Sequence, residues 1–369
     1  IGGVEMDLHV YTPDFAYLGC IDAYTSMRWR RQVFDAGEFE LHCAAVEYVI
    51  NLTRPENYII RDGYEEFAVL EGRNLGTEGE TGETISVTGG LGNSLLGRCV
   101  INKTYNINGP VEVAMRALVS EQMPRICPNI VLGTLQGFAE KVQTQVTYKN
   151  LLTTLSALSK STGILFKIRA DVKNGRLVFE TYKGKDRATK QTENPRVVFS
   201  DIEETLDSPK YSQNKKAYKN FAYVAGEGEG DARTIITVDR RNDGEALREM
   251  FVDAKDLRQK ELTDAQYKAQ LAQRGNEKLD DAAEVQNFES SVTRESGYVY
   301  RKDWELGDIV TCHKSRWGIL IDERVTEVEE VFETETGAAG EITPTFGSPY
   351  PEIKHWRLKR GKKRILCRY

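Results

Sequence analysis

Residues 26–41 read Ser26-Met27-Arg28-Trp29-Arg30-Arg31-Gln32-Val33-Phe34-Asp35-Ala36-Gly37-Glu38-Phe39-Glu40-Leu41. The apolar positions Trp29, Val33, Phe39 and Leu41 sit among charges, and Asp35-Ala36-Gly37 breaks the run. Phe39 and Leu41 alternate with Glu38 and Glu40, the two-residue period of a half-buried strand. Gly37 lacks a Cβ and can take the positive φ of a tight turn. The stretch therefore reads as a β-hairpin. Trp29 and Phe39 are expected to anchor a core, with Arg30, Arg31, Glu38 and Glu40 facing outward. No catalytic groups converge here. Units of this kind recur along the chain, so the expected fold is mainly β with α+β insertions.

On either side of the hairpin, strands are expected at 7–11 and 17–24, and at 44–51, where Tyr48 and Ile50 alternate. Residues 58–61 and 66–71 flank Asp62-Gly63, a strong hairpin signal. Ile85 and Val87 alternate within 84–88, and glycines 89, 90, 92 and 97 punctuate a short element at 94–96. Short strands at this spacing suggest a small antiparallel barrel or sandwich ending near residue 110.

The pattern changes after Pro110. Val111, Met115, Leu118 and Val119 share one helical face. Asn150 can cap a second helix that buries Leu151, Leu152, Leu155 and Leu158, with Gly163 beyond its end. Strands at 164–169 and 176–182 then flank Asn174-Gly175. Residues 184–200 read as a linker. A second β section starts at Val197, with strands at 220–225 and 234–238 around Gly226-Glu227-Gly228-Glu229-Gly230-Asp231. That loop resembles a phosphate loop only superficially. No helix and no Lys-Ser/Thr come after it, and its glutamates repel anions, so it is expected to be a flexible hairpin tip. Further strands are expected at 248–252, 289–300, 309–313 and 319–332. Thr263 can cap a helix to about residue 283, with only Tyr267, Leu271 and Leu279 as apolar contacts. So little apolar surface predicts a helix on the outside or between subunits, interrupted at Gly275.

The expected domains are a first β-barrel at 1–110 and an α+β domain at 111–196. A second β-barrel spans 197–258 and 286–335, split by a helical insertion at 259–285. A basic tail covers 336–369. The tail carries eight Lys/Arg against two acids, whereas the whole chain has a net charge of −6. A basic tail on an acidic body suggests docking on an acidic partner or a neighbouring copy. The acidic body argues against specific nucleic-acid binding, because phosphates need a basic surface. The composition, 40% hydrophobic and 29% charged, is that of a globular protein. No apolar run reaches the roughly 18 residues of a membrane span, so no membrane insertion is expected. The first five residues lack the basic and apolar regions of a signal peptide. Six cysteines and four histidines are scattered without ligand spacing. No metal or other cofactor is expected, and the thiols are expected to be reduced.

In this order, several stretches together resemble tail-tip and baseplate hub proteins of bacteriophages and related contractile particles. They are Trp29-Arg30-Arg31 with Gly37-Glu38-Phe39-Glu40-Leu41, and Ile85-Ser86-Val87-Thr88-Gly89 with Leu95-Leu96-Gly97-Arg98. Gly184-Lys185-Asp186-Arg187, Val198-Phe199-Ser200 and Asn220 with 224–230 come next. Val252-Asp253-Ala254, Tyr300 with 306–310, and Thr345-Phe346-Gly347 complete the set. The resemblance runs through most of residues 8–350. It implies two barrel-like domains per subunit, with smaller domains inserted, and a homotrimer whose six barrels form a pseudo-sixfold ring around a channel. The implied partners are a tail tube or distal ring protein, a spike protein and, as a further candidate, the tape-measure protein. The implied location is the baseplate or tail tip of a virion or phage-tail-like particle assembled in the host cytoplasm. The basic C-terminus departs from the family pattern.

A structural role without chemistry is the first expectation. The candidate assembly residues are Arg30, Arg31, Glu38 and Glu40, with Lys359, Arg360, Lys362, Lys363 and Arg364 in the tail. A tail-associated cell-wall hydrolase or a carbohydrate-binding module is the alternative. No H-E-x-x-H, G-x-S-x-G or Cys-His signature supports an enzyme. Glu203-Glu204 and Glu329-Glu330 read as solvated edges rather than a glycosidase pair. Exposed aromatics such as Trp317 and Trp356 would serve a carbohydrate module, but either could equally be packed.

Overall fold

The structure is a computed structural model that describes residues 6–77, 82–260, 262–292, 297–333 and 338–347. The first β region contains β1 (Leu8–Tyr11), β2 (Tyr17–Ile21), β3 (Ser26–Gln32), β4 (Glu38–Ala44), helix α1 (Glu47–Leu52), β5 (Tyr58–Arg61), β6 (Phe67–Thr77), β7 (Glu83–Leu91) and helix α2 (Ser94–Gly97). An α+β unit comes next, with β8 (Tyr105–Pro110), α3 (Val111–Gln122), β9 (Ile130–Leu132), β10 (Lys141–Val146), α4 (Leu151–Thr162), β11 (Leu165–Asp171) and β12 (Arg176–Tyr182). The remainder contains β13 (Val198–Ser200), β14 (Leu206–Asn214), β15 (Phe221–Ala225), β16 (Ile235–Asp239), β17 (Glu249–Asp253), α5 (Asp264–Asp281), β18 (Val285–Val292), β19 (Ile309–Lys314), β20 (Ile319–Glu333) and β21 (Ala338–Gly347).

The fold is mainly β, and its organising feature is one extended sheet. The strand order is β14-β18-β21-β20-β3-β4-β7-β6-β5-β1-β2, with β19 on β20 and β13 on β19. β20 pairs antiparallel with β3 from Glu327 opposite Gln32 to Glu333 opposite Ser26. The two β regions therefore share a sheet. Among the described residues, this sheet runs open from β14 to β2 and closes into no barrel.

The apolar pattern explains the layers. Tyr58-Ile59-Ile60 and Phe67-Ala68-Val69-Leu70 are continuous apolar runs, as befits strands covered on both faces. Ile59, Ala68 and Leu70 join Trp29, Leu41 and Val87 in one core. Tyr58, Ile60, Phe67 and Val69 face the α+β unit and pack with Met115, Leu155 and Phe179. A third core holds Val33, Phe199, Trp304, Val325 and Phe346. Because β3 sends Trp29 to the first of these cores and leads directly into Val33 of the third, it is common to both β regions.

Seven expectations are corrected. Residues 47–52 form helix α1 rather than a strand. Val49 and Leu52 are its buried residues, three apart, whereas Tyr48 of the supposed alternation is exposed. The expected linker at 184–200 is packed: Arg187 is buried and donates to Asp308 at 2.8 Å, and Asp186 bridges to Ile309. Of the strand expected at 289–300, residues 289–292 belong to β18, which starts earlier, at Val285; residues 293–296 lie outside the described residues, and 297–300 form no strand. Strands β15, β16 and β17 form a separate sheet, β16-β15-β17, instead of joining the second β region. Helix α5 covers that sheet with Tyr267, Leu271 and Leu279. Thr263 caps the helix as expected, through a capping box with Gln266, and Gly275 sits within an unbroken helix. Rather than lying outside, α5 is held between its own sheet and the α+β unit, where Gln143 donates to the Gln266 carbonyl at 3.3 Å. The Gly226–Asp231 loop is also tied down: the Glu227 carboxylate accepts from the Gln259 N–H at 3.1 Å, and its N–H donates to the Tyr267 hydroxyl at 2.6 Å.

Candidate functional site

The hairpin of β3 and β4 has the expected turn, with Gly37 at φ +75°. Trp29 and Phe39 are buried and meet edge-to-face at 5.5 Å. On the opposite face, basic side chains of β3 lie between acids of β4 and β20. Arg28 pairs with Glu38 at 3.2 Å, Glu40 at 3.7 Å and Glu329 at 3.3 Å. Arg30 pairs with Glu38 and, at 3.8 Å, with Glu327. Burial alone would lower the Arg30 pKa, but Glu327 and Glu38 outweigh it and hold it above the usual value. Glu38 remains exposed, and Glu40 is half-buried. The tail residues Lys359, Arg360, Lys362, Lys363 and Arg364 lie outside the described residues, as does Trp356.

Arg31 does not face outward. Two residues after Trp29, it shares the inward face that strand alternation dictates. It reaches into a cluster of three arginines and three glutamates between the two β cores. Arg31 contacts Glu66 at 2.6 Å and Glu305 at 2.7 Å, and donates to the Tyr300 hydroxyl. Arg61 binds both oxygens of Glu330, at 3.0 and 3.1 Å, and reaches Glu66 at 3.3 Å. Arg301 joins Glu66 at 2.9 Å and Glu330 at 3.2 Å. The Arg61 guanidinium lies 4.4 Å from the Trp29 ring, and Tyr64 stacks with Arg61 and Arg301 at 4.5 and 4.4 Å. Glu330, expected on a solvated edge, is only 4% exposed. Its parity with buried Val328 was the available signal, as was the parity of Arg31 with Trp29.

The electrostatics are those of a closed ionic lock. Burial would raise the Glu66 pKa, but Arg31, Arg301 and Arg61 overcome it and hold the carboxyl at about 2. Burial would likewise lower Arg31, yet Glu66 and its neighbours hold it well above the usual value. Burial pushes the Tyr300 hydroxyl up. A cleft of about 350 Å³ lies beside the lock, lined by Arg31, Tyr64, Glu66, Asn93, Arg169 and Arg301 among others. None of these six offers a nucleophile with a free base beside it. Burial pushes the Cys43 and Cys127 thiols up to about 11, away from nucleophilic use. Among the described residues, no group of three or more His, Cys, Asp or Glu could hold a metal. None of their helices is long and apolar enough to cross a membrane.

The family model for siphovirus ReqiPepy6 Gp37-like proteins matches residues 7–348. The chain belongs to this siphovirus Gp37-like family. The match spans every element from β1 to β21. No curated protein matches the sequence. Solved structures share the fold of this Gp37-like chain at low identity. The tail protein from Neisseria meningitidis MC58 is 12% identical over 93% of this chain and 96% of its own, with a TM-score of 0.57. The 43 kDa tail protein of prophage MuSo2 from Shewanella oneidensis is 14% identical over 92% and 98%, at 0.59. Prophage tail protein gp18 from Listeria monocytogenes is 13% identical over 93% and 94%, at 0.54.

Proposed function

We propose that this phage tail protein is a baseplate hub or tail-tip subunit of a phage or phage-tail-like contractile particle. As a homotrimer it joins the sixfold tail tube to a threefold spike around a central channel. The supporting observation is the shared sheet, in which β3–β20 pairing ties two β regions into one body. Three bodies with two β units each supply six similar positions to one face and three to the other, through heterologous contacts that close a ring. A buried ionic lock at the junction keeps the two units of each body in fixed relation. The charge ladder of Arg28, Arg30, Glu38 and Glu40 and the basic tail are the proposed contact surfaces toward neighbouring subunits, the tube or distal ring protein, the spike and the tape-measure protein. Arg31 is withdrawn from that set because it is committed to the lock. The net charge of −6 suits a channel through which DNA passes without sticking.

The role is structural and non-catalytic. Mass photometry of the purified chain, with immunogold labelling of intact particles, tests it. A species of three 41.7 kDa subunits and label at the end of the tail support the proposal. Label spread along the tube would sink it. Clearing of peptidoglycan in a zymogram would overturn the non-catalytic part.

A further inference from the structure

The small sheet of β15, β16 and β17 has two faces with different fates. Ala222, Val224 and Val252 point at α5 and pack with Tyr267, Leu271 and Leu279. Because α5 packs in turn on the α+β unit, the other sheet face looks away from the body of the molecule. Strand register lays this outer face out in three rows: Asp239, Phe221, Glu249; then Thr237, Tyr223, Phe251; then Ile235, Ala225, Asp253. Its centre is aromatic and open. Tyr223 is 40% exposed, Ile235 53% and Phe251 61%. Phe221 and Tyr223 meet edge-to-face at 5.1 Å. Adjacent exposed rings on a sheet face, rimmed by polar groups, mark a binding surface.

The rim charges narrow the ligand. Asp239 and Arg241 form a bidentate pair at 2.6 to 3.2 Å. Arg233 pairs with Asp253 and is otherwise committed to the backbone, donating to the Gly226 carbonyl at 2.9 Å and the Ala225 carbonyl at 2.7 Å. The Tyr223 hydroxyl donates to Glu249 at 3.2 Å. Arg241 and Arg233 also lie 5.8 and 5.7 Å from the Phe221 and Phe251 rings. The charges are compensated within the patch. A nucleic acid could use the aromatic platform, but its phosphates need surplus cations that the rim lacks. A pyranose ring matches what remains. Its C–H face is apolar, and its equatorial hydroxyls bond to carboxylates at the edge.

We infer that this face binds a neutral oligosaccharide, with sugar rings stacked on Tyr223 and Phe251 and hydroxyls bonded to Glu249 and Asp253. The site stands apart from the ionic lock and does not depend on the hub reading. The test is calorimetric titration of the full chain with two neutral probes, cellohexaose and chitohexaose. Saturable binding of at least one is expected, unchanged between low and high salt. Tyr223→Ala and Phe251→Ala should each weaken it by about tenfold, the scale of losing one stacked ring. Tyr223→Phe should retain most of it, as should Leu320→Ala, a control at another exposed site. Because both target side chains are exposed, matching thermal melts will separate lost binding from lost folding. The inference fails if neither probe binds, or if the double alanine variant binds as wild type does. It also fails if an oligothymidylate occupies the patch in a salt-sensitive manner, or if the patch proves to hold two copies of the chain together.

Discussion

At the scale of single residues, the ionic lock is the most demanding feature. Glu66 is held at about 2, against an ordinary 4.5, by three guanidiniums. Its stabilising contribution is therefore complete above about pH 4.5 and drains away as the pH falls toward about 2. At neutral pH, Glu66→Gln should cost on the order of 3 kcal/mol. The gap between wild type and variant in urea midpoints should close across that acid window. A gap independent of pH would mean that Glu66 acts through packing alone. Gly37 makes a second, independent demand. A Cβ there would lie 2.5 Å from the Arg30 carbonyl at φ +75°, whereas Gly63, at φ +74°, has nothing within 4 Å of its Cβ position. Valine at Gly63 should cost only backbone strain, about 1–2 kcal/mol. Valine at Gly37 should cost more and disrupt the hairpin, and equal losses would remove the clash from the argument.

At the scale of elements, α5 sets two effects against each other. Alanine at Gly275 gains roughly 1 kcal/mol of helix propensity. The new Cβ, however, would lie 2.7 Å from methyls of both Val224 and Val238. Overpacking of this kind typically costs about 1–3 kcal/mol, so Gly275→Ala should lower the melting temperature. Adding Val238→Ala should recover part of the loss in a double-mutant cycle; a Gly275→Ala variant that melts higher would show that propensity wins. Elements with local signals were legible in the sequence. Asn150 and Gly163 bracket α4, Thr263 opens α5, and Asp62-Gly63 turns β5 into β6. α1 was not, because six residues fit a strand period and a helix period equally well. Nor was the small sheet, whose parallel pairing of β15 with β17 leaves no local trace. The lock was half-legible: parity turned Arg31 and Glu330 inward, but pairing Arg61 with Glu330 joins residues 269 apart.

At the scale of the whole molecule, the question is whether the first β region can stand alone. Its outer strand β3 is paired along its length with β20, which belongs to the other β region. A fragment of residues 1–110 would lose that strand and leave an unpaired edge, a template for aggregation. It would also strip Arg61, fully buried, of Glu330, and Arg31 of Glu305. Losing one partner of a buried pair costs about 3–5 kcal/mol, and a whole domain is stable by only about 5–15 kcal/mol. The face that carries Tyr58, Ile60, Phe67 and Val69 would lose the α+β unit as well. Together these losses exceed what the remaining core can offset. The fragment should be unfolded or aggregated by circular dichroism and gel filtration, whereas residues 1–347 should be soluble and lose β3 and β20 amide protection together in hydrogen exchange. A monomeric 1–110 fragment with a cooperative melt would show that the two β regions are separate domains that merely touch, and the rigid-body argument for a ring subunit would lose its footing.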